Sequence, residues 1–142
     1  LETHTLEATR LDLEITETAL LSPTGETQAS IAGLHALGVG LSLDDFGIGY
    51  SSLSRLKRLP INRLKIDRSF VRDITVDPDD AAIVVAILRM AEALNLDVVA
   101  EGVEDQAQAG QLLSQGCALA QGYLYGKPMT AENFATFMGL PA

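Results

Sequence analysis

The sequence contains a single cysteine, Cys117, in 142 residues. One thiol cannot build an intramolecular disulfide framework, which fits a reducing compartment. The neighbours of Cys117 are apolar and point to a buried packing role. No apolar run is long enough to span a bilayer, and no charged-then-apolar leader opens the chain, so no membrane contact is expected of this segment. Cations are scarce, with 10 Lys and Arg against 19 Asp and Glu and a formal net charge of -9. That balance argues against binding DNA or RNA duplexes, which requires neutralising phosphates with Lys and Arg. An anionic ligand would need a locally placed cation, either a metal or a lysine. What remains is globular in kind, 47% hydrophobic and 20% charged, and long enough for one modest domain.

Strand and helix patterns alternate along the chain. Leu11 to Thr16 alternates with period two. Thr27 to Leu37 reads as a helix with Ile31, Leu34 and Leu37 on one side and Gly38 as its stop. Leu41 to Asp44 is a second strand, Ser51 to Leu59 a short helix ended by Pro60, and Arg63 to Asp67 a third strand. Asp79 and Asp80 open the longest helix, where acids suit the positive end of the dipole; it carries Ile83, Ile87, Met90, Ala91 and Leu94. Asp97 to Glu101 is a fourth strand, Asp105 caps a helix holding Leu112 and Leu113, and Leu119 to Tyr123 is a fifth strand. Thr130 caps a last helix with Phe134, Phe137 and Met138. This repetition with short connections predicts parallel βαβ units.

Asp44-Asp45 is the most informative pair. Adjacent carboxylates close an apolar strand and a glycine-punctuated loop, Phe46-Gly47-Ile48-Gly49, follows. Such a pair is costly to desolvate unless something cationic sits there. Side chains alternate along a strand. With Leu11, Leu13 and Ile15 facing the helices, Asp12 and Glu14 face the other way; Ser42, Asp44, Lys65, Glu101 and Gln121 follow by the same parity, with Ala118 and Ala120 packing outward. Glu14, Asp44, Lys65, Glu101 and Gln121 thus converge near the C-terminal ends of their strands, where βα folds keep their chemistry. Carboxylate oxygens select Mg²⁺, Mn²⁺ or Ca²⁺ over zinc. Asp45 has the opposite parity to Asp44 and can join the group only if the backbone turns, which the following glycines permit.

These residues resemble the EAL-domain phosphodiesterases that hydrolyse cyclic di-GMP. Leu13-Glu14-Ile15-Thr16-Glu17 is similar to the family's ELTE segment. Asp44-Asp45-Phe46-Gly47 with Gly49-Tyr50-Ser51-Ser52 resembles its DDFGxGYSS loop, Leu64-Lys65-Ile66-Asp67 its LKID, Ala100-Glu101-Gly102-Val103-Glu104 its AEGVE, and Gln121-Gly122-Tyr123 with Pro128 its QGYxxxxP ending. The five occur in the family's order and spacing. The resemblance implies a TIM-like barrel and hydrolysis of cyclic di-GMP to linear pGpG in bacterial second-messenger signalling. It implies a two-metal site holding Mg²⁺ or Mn²⁺. Glu14, Asp44 and Asp45 would be metal ligands, Lys65 and Glu101 catalytic residues handling the water, and Gln121 a hydrogen-bonding partner in that shell. Glu17 would anchor the loop after Asp45.

Two family elements have no counterpart here. The name-giving Glu-Ala-Leu lies on the family's first strand, and a further ligand Asn precedes the ELTE segment. A complete barrel takes roughly 250 residues, and about five strands cannot close one. Residues 1–142 are therefore expected to be the C-terminal part of a single EAL domain, an incomplete α/β barrel, inactive by itself. The alternative function is a catalytically inactive EAL-type receptor for cyclic di-GMP or a protein-interaction module. The resemblance further implies a homodimer, upstream GGDEF or sensory domains, and a cytoplasmic location, free or as part of a larger membrane-anchored protein.

Taken singly, each residue has a plainer reading. Acid pairs are commonly solvated turns, a strand lysine commonly faces water on an edge, and Tyr50 and Tyr123 read as packing residues. His4 and His35 lack metal-ligand spacing, and Arg55, Lys57 and Arg58 read as a solvated helix face. Asp45-Phe46-Gly47 also spells the metal-binding tripeptide of protein kinases, but no His-Arg-Asp loop precedes it and no glycine-rich ATP loop with a strand lysine is present.

Overall fold

A computed structural model describes residues 6–16, 24–47, 56–57 and 59–139. Five strands, β1 (Asp12–Thr16), β2 (Gly40–Phe46), β3 (Arg63–Ile66), β4 (Asp97–Ala100) and β5 (Leu119–Ala120), form one sheet in the order β1-β2-β3-β4-β5. All four neighbouring pairs are parallel. Sequential order without reversal is the winding of a (β/α) barrel, not of a doubly wound sheet. β1 and β5 are the two ends of this arc.

Helices α1 (Gly25–Ala36), α2 (Arg68–Arg72), α3 (Pro78–Leu94), α4 (Gln106–Ser114) and α5 (Ala131–Phe137) connect or follow the strands. Their starts follow side-chain chemistry. Thr24, Asp67, Asp77, Asp105 and Thr130 each accept a hydrogen bond from a backbone N–H of the first turn. At α4 the bond is reciprocal, Gln108 reaching back to Asp105. α2 has no counterpart in the sequence reading, because five residues are too few to display a helical period. The predicted helix over Ser51 to Leu59 falls mostly outside the described residues.

The core lies on the helix side of the sheet. Leu41, Leu43, Leu64, Ile66 and Ala100 are buried there against Val84, Ile87 and Ala91 of α3 and Leu112 of α4. Several expected core positions are corrected. Leu37 and Leu113 are exposed, and Val84 replaces Ile83 on the buried stripe of α3. Ala118 is exposed ahead of β5 while Cys117 is buried, its thiol donating to the Leu119 carbonyl at 3.3 Å. Phe134, Phe137 and Met138 are exposed. β5 stops two residues into its predicted span. There Gly122 lies so close to Val103 that a Cβ would clash with the Val103 backbone. Among the described residues, no helix is long and apolar enough to cross a membrane.

Candidate metal and phosphate site

The opposite face of the sheet is polar. Near the strand starts, Arg63 pairs with Asp12 at 2.6 Å and Asp97 at 3.7 Å, and Ser42 donates to Asp12 at 2.7 Å. One pleat further toward the C-terminal ends, Lys65 Nζ sits 2.6 Å from Glu14, 2.7 Å from Glu101 and 3.2 Å from Asp44. The two layers repeat the strand period, so the lower one was legible two residues ahead of Glu14 and Lys65.

Lys65 is 5% exposed, which places an ammonium out of water. Burial by itself would lower its pKa. The hydrogen bonds with Glu101, Glu14 and Asp44 outweigh that and hold it above its ordinary value, so the lysine is charged at any neutral pH. Burial pushes the Glu101 carboxyl above the usual carboxylate range; Lys65 opposes the shift, while Asp44 and Glu14 add to it. The group therefore has more negative charge than its one ammonium balances.

The geometry of β2 brings in Asp45. Leu43 pairs with Leu64 and Phe46 with Ile66, so β2 spends two residues, Asp44 and Asp45, where β3 spends only Lys65. This is a β-bulge. It returns Phe46 to the buried side with Leu41 and Leu43, and it frees both aspartates toward the rim. The turn begins at Asp45 itself, at φ 56, and continues into Gly47, at φ 108, the first of the glycines expected to supply it. A left-handed non-glycine residue costs about 1–2 kcal/mol, which Asp tolerates better than most. The Asp45 N–H donates to Asp44 Oδ1 at 3.0 Å.

Asp44, Asp45 and Glu101 each offer a carboxylate oxygen within 4.8 Å of the others. A hard, all-oxygen donor set with surplus negative charge fits Mg²⁺, Mn²⁺ or Ca²⁺. Glu14 meets the cluster through Lys65. Gln121 follows β5, where its N–H donates to the Ala100 carbonyl and its side chain donates to Glu101 Oε1 at 3.0 Å. Glu17 lies outside the described residues. Sequence reasoning missed the ground beside the acids. A groove of about 600 Å³ runs from Gln121 past Arg68, Tyr123, Lys127 and Phe134. Tyr123 is exposed there, with Lys127 Nζ 5.5 Å from its ring centre, so the packing reading of this residue does not hold. Arg68 and Lys127 supply cations beside an otherwise acidic rim.

The sequence profile of the EAL domain matches residues 1–128. Over 130 residues the chain is 50% identical to the bifunctional diguanylate cyclase/cyclic di-GMP phosphodiesterase MucR of Pseudomonas aeruginosa, covering 92% of this chain and 19% of MucR. A solved structure of the PaMucR phosphodiesterase in complex with c-di-GMP superposes with a TM-score of 0.88 at 49% identity, over 94% of this chain and 54% of that one. The manganese/cy-diGMP complex of Klebsiella pneumoniae BlrP1 superposes at 0.83 with 37% identity, over 90% of this chain and 33% of that one. The arc of strands is thus a partial TIM-like barrel, about half the length of the MucR phosphodiesterase chain it matches. With a matching profile over most of its residues and half of its aligned positions shared with MucR, this chain belongs to the EAL domain family.

Proposed function

We propose that this chain carries the metal-binding and water-handling part of a phosphodiesterase that hydrolyses cyclic di-GMP to linear pGpG. The observation that carries the reading is Lys65 held among Glu14, Asp44 and Glu101 beside the bulged Asp45. Asp44 and Asp45, with Glu14 close by, are the proposed ligands of two divalent ions, Mg²⁺ or Mn²⁺. Such ions, when bound, supply Lewis acidity that offsets phosphate charge and makes a water more acidic. In the reaction the water oxygen bonds to phosphorus, the ester oxygen leaves with the P–O electron pair, and the water's proton goes to a base. On this reading Glu101 orients that water and takes the proton, a role that the raised pKa from its burial supports. Lys65 keeps its proton and donates hydrogen bonds toward developing charge. Gln121 keeps Glu101 Oε1 engaged. Arg68 and Lys127 line the approach of an anionic dinucleotide.

The same reading proposes attached GGDEF or sensory domains, a homodimer and a cytoplasmic location; MucR, described as bifunctional, is about five times longer than the matched stretch. Because the chain spans about half of the MucR phosphodiesterase chain, it is expected to bind metal without turnover by itself. The test is incubation of the longer protein with cyclic di-GMP and Mn²⁺, with pGpG followed by chromatography. Asp44→Asn should abolish turnover, and unchanged activity would refute the assignment. Tight binding of cyclic di-GMP without any metal-dependent pGpG would favour the receptor reading instead.

A further inference from the structure

The five-residue helix α2 touches the backbone beside two of the carboxylates at once. A Cβ on Gly47, two residues after Asp45, would lie 2.8 Å from Phe70 Cε2 and 3.4 Å from Cζ. A Cβ on Gly102, the residue after Glu101, would lie 2.6 Å from Arg68 Cβ. Both glycines are left-handed, at φ 108 and φ 69, so both turns are pressed against α2 at a distance that no other residue allows. The helix is itself held from behind. Val71 is fully buried, Gln108 donates to the Arg72 carbonyl at 3.1 Å, and Gln111 donates to the Ile74 carbonyl at 2.7 Å.

We propose that Phe70 is a positioning residue for the metal cluster. Its ring edge, seated against Gly47, holds the turn that presents Asp45 next to Asp44 and Glu101. The bulge leaves Asp45 without the ladder partner that fixes an ordinary strand residue, so its direction depends on what lies behind the turn. Phe70 is what lies there, with Ile87 Cδ1 the next nearest atom at 3.6 Å. Arg68 does the same for Glu101 through Gly102, so α2 sets the span between the two acids. Phe70 meets this turn at Gly47, so its role runs through backbone position. The inference rests on the metal assignment of the phosphodiesterase reading.

The experiment titrates Mn²⁺ into the purified protein by calorimetry and records the Mn²⁺ EPR spectrum, with folding followed by circular dichroism. Phe70→Leu keeps an apolar side chain in the core but withdraws the ring edge. It should weaken Mn²⁺ binding about 10-fold, in the range found when supports behind ligands are removed, and should alter the EPR line shape. Phe70→Tyr keeps both ring carbons in place and should restore binding. Leu88→Ala opens α3, whose nearest atom to Gly47 belongs to Ile87, and controls for general loosening. Wild-type Mn²⁺ affinity in Phe70→Leu, alongside weakened binding in Asp45→Asn, would overturn the positioning role and leave the metal assignment standing. A loss in Leu88→Ala as large as in Phe70→Leu would also overturn it. Wild-type binding in Asp45→Asn would overturn the metal assignment itself, and this role with it.

Discussion

Replacing Lys65 with Met keeps the packed stem and deletes the ammonium. Three carboxylates then lose partners at 2.6, 2.7 and 3.2 Å. Breaking a fully buried pair costs about 3–5 kcal/mol. Glu14 is 53% exposed on its side chain, so its share falls to the surface value of about 0–1 kcal/mol. Asp44 and Glu101, at 21% and 16%, are the groups left repelling each other. With oxygens within 4.8 Å, that repulsion is about 3–4 kcal/mol at an effective dielectric of 20 and about 1 kcal/mol at 80. The expected loss of unfolding free energy is about 2–3 kcal/mol at neutral pH, between those limits. Its pH dependence has a definite sign. The folded-state pKa of Glu101 is already raised, so its unfavourable contribution sets in as pH climbs through the unfolded value of 4.5. Losing Lys65 removes the opposing pull and raises that pKa further. The deficit of the variant should therefore shrink as pH falls toward about 5, and millimolar Mn²⁺ at neutral pH should recover part of it. Urea unfolding of both proteins across this range is the assay. A neutral-pH loss under about 1 kcal/mol, or a deficit that grows on acidification, would refute the reasoning.

Three further outcomes follow from the same geometry. Asp45→Asn keeps a residue that accepts φ 56 while removing one charge from the cluster; without metal it should gain about 1 kcal/mol in urea unfolding, and Mn²⁺ should no longer stabilise it as strongly. Gln108→Ala strands the Glu104 and Asp105 N–H groups and the Arg72 carbonyl, and should cost about 2 kcal/mol by the same measurement. Cys117 has its thiol pKa raised by burial, so alkylation of the folded protein should be slow at neutral pH and fast in urea; the stability tied to the neutral thiol is complete below the unfolded value of 9.0 and is lost as pH rises above it.

Strand parity made much of the site legible. Glu14, Asp44, Lys65 and Glu101 share a face because each stands an odd number of residues from a neighbour that packs on the helix side, and burial of Leu41, Leu43, Leu64, Ile66 and Ala100 enforces that direction. Parity fails where the ladder slips. The sequence reading placed the turn on the glycines, and Gly47 is left-handed, but it missed the left-handed residue at Asp45, since only the pairing of Phe46 with Ile66 reveals the extra residue. The groove beside the rim was hidden for another reason. Arg68 and Lys127 stand on separate segments, after β3 and after β5, and no local pattern joins them. Buried stripes on helices were read to within one position, as Val84 against Ile83 shows, since a helical face drifts with small errors in phase.

The slip in β2 has a genetic corollary. Deleting the Asp45 codon would leave Leu41, Leu43 and Phe46 alternating without interruption against Leu64 and Ile66 of β3. Gain or loss of the second aspartate is therefore a single-codon insertion or deletion that the alternation of β2 accommodates. The number of carboxylates in the cluster can thus change by one while the alternation of the strand stays the same.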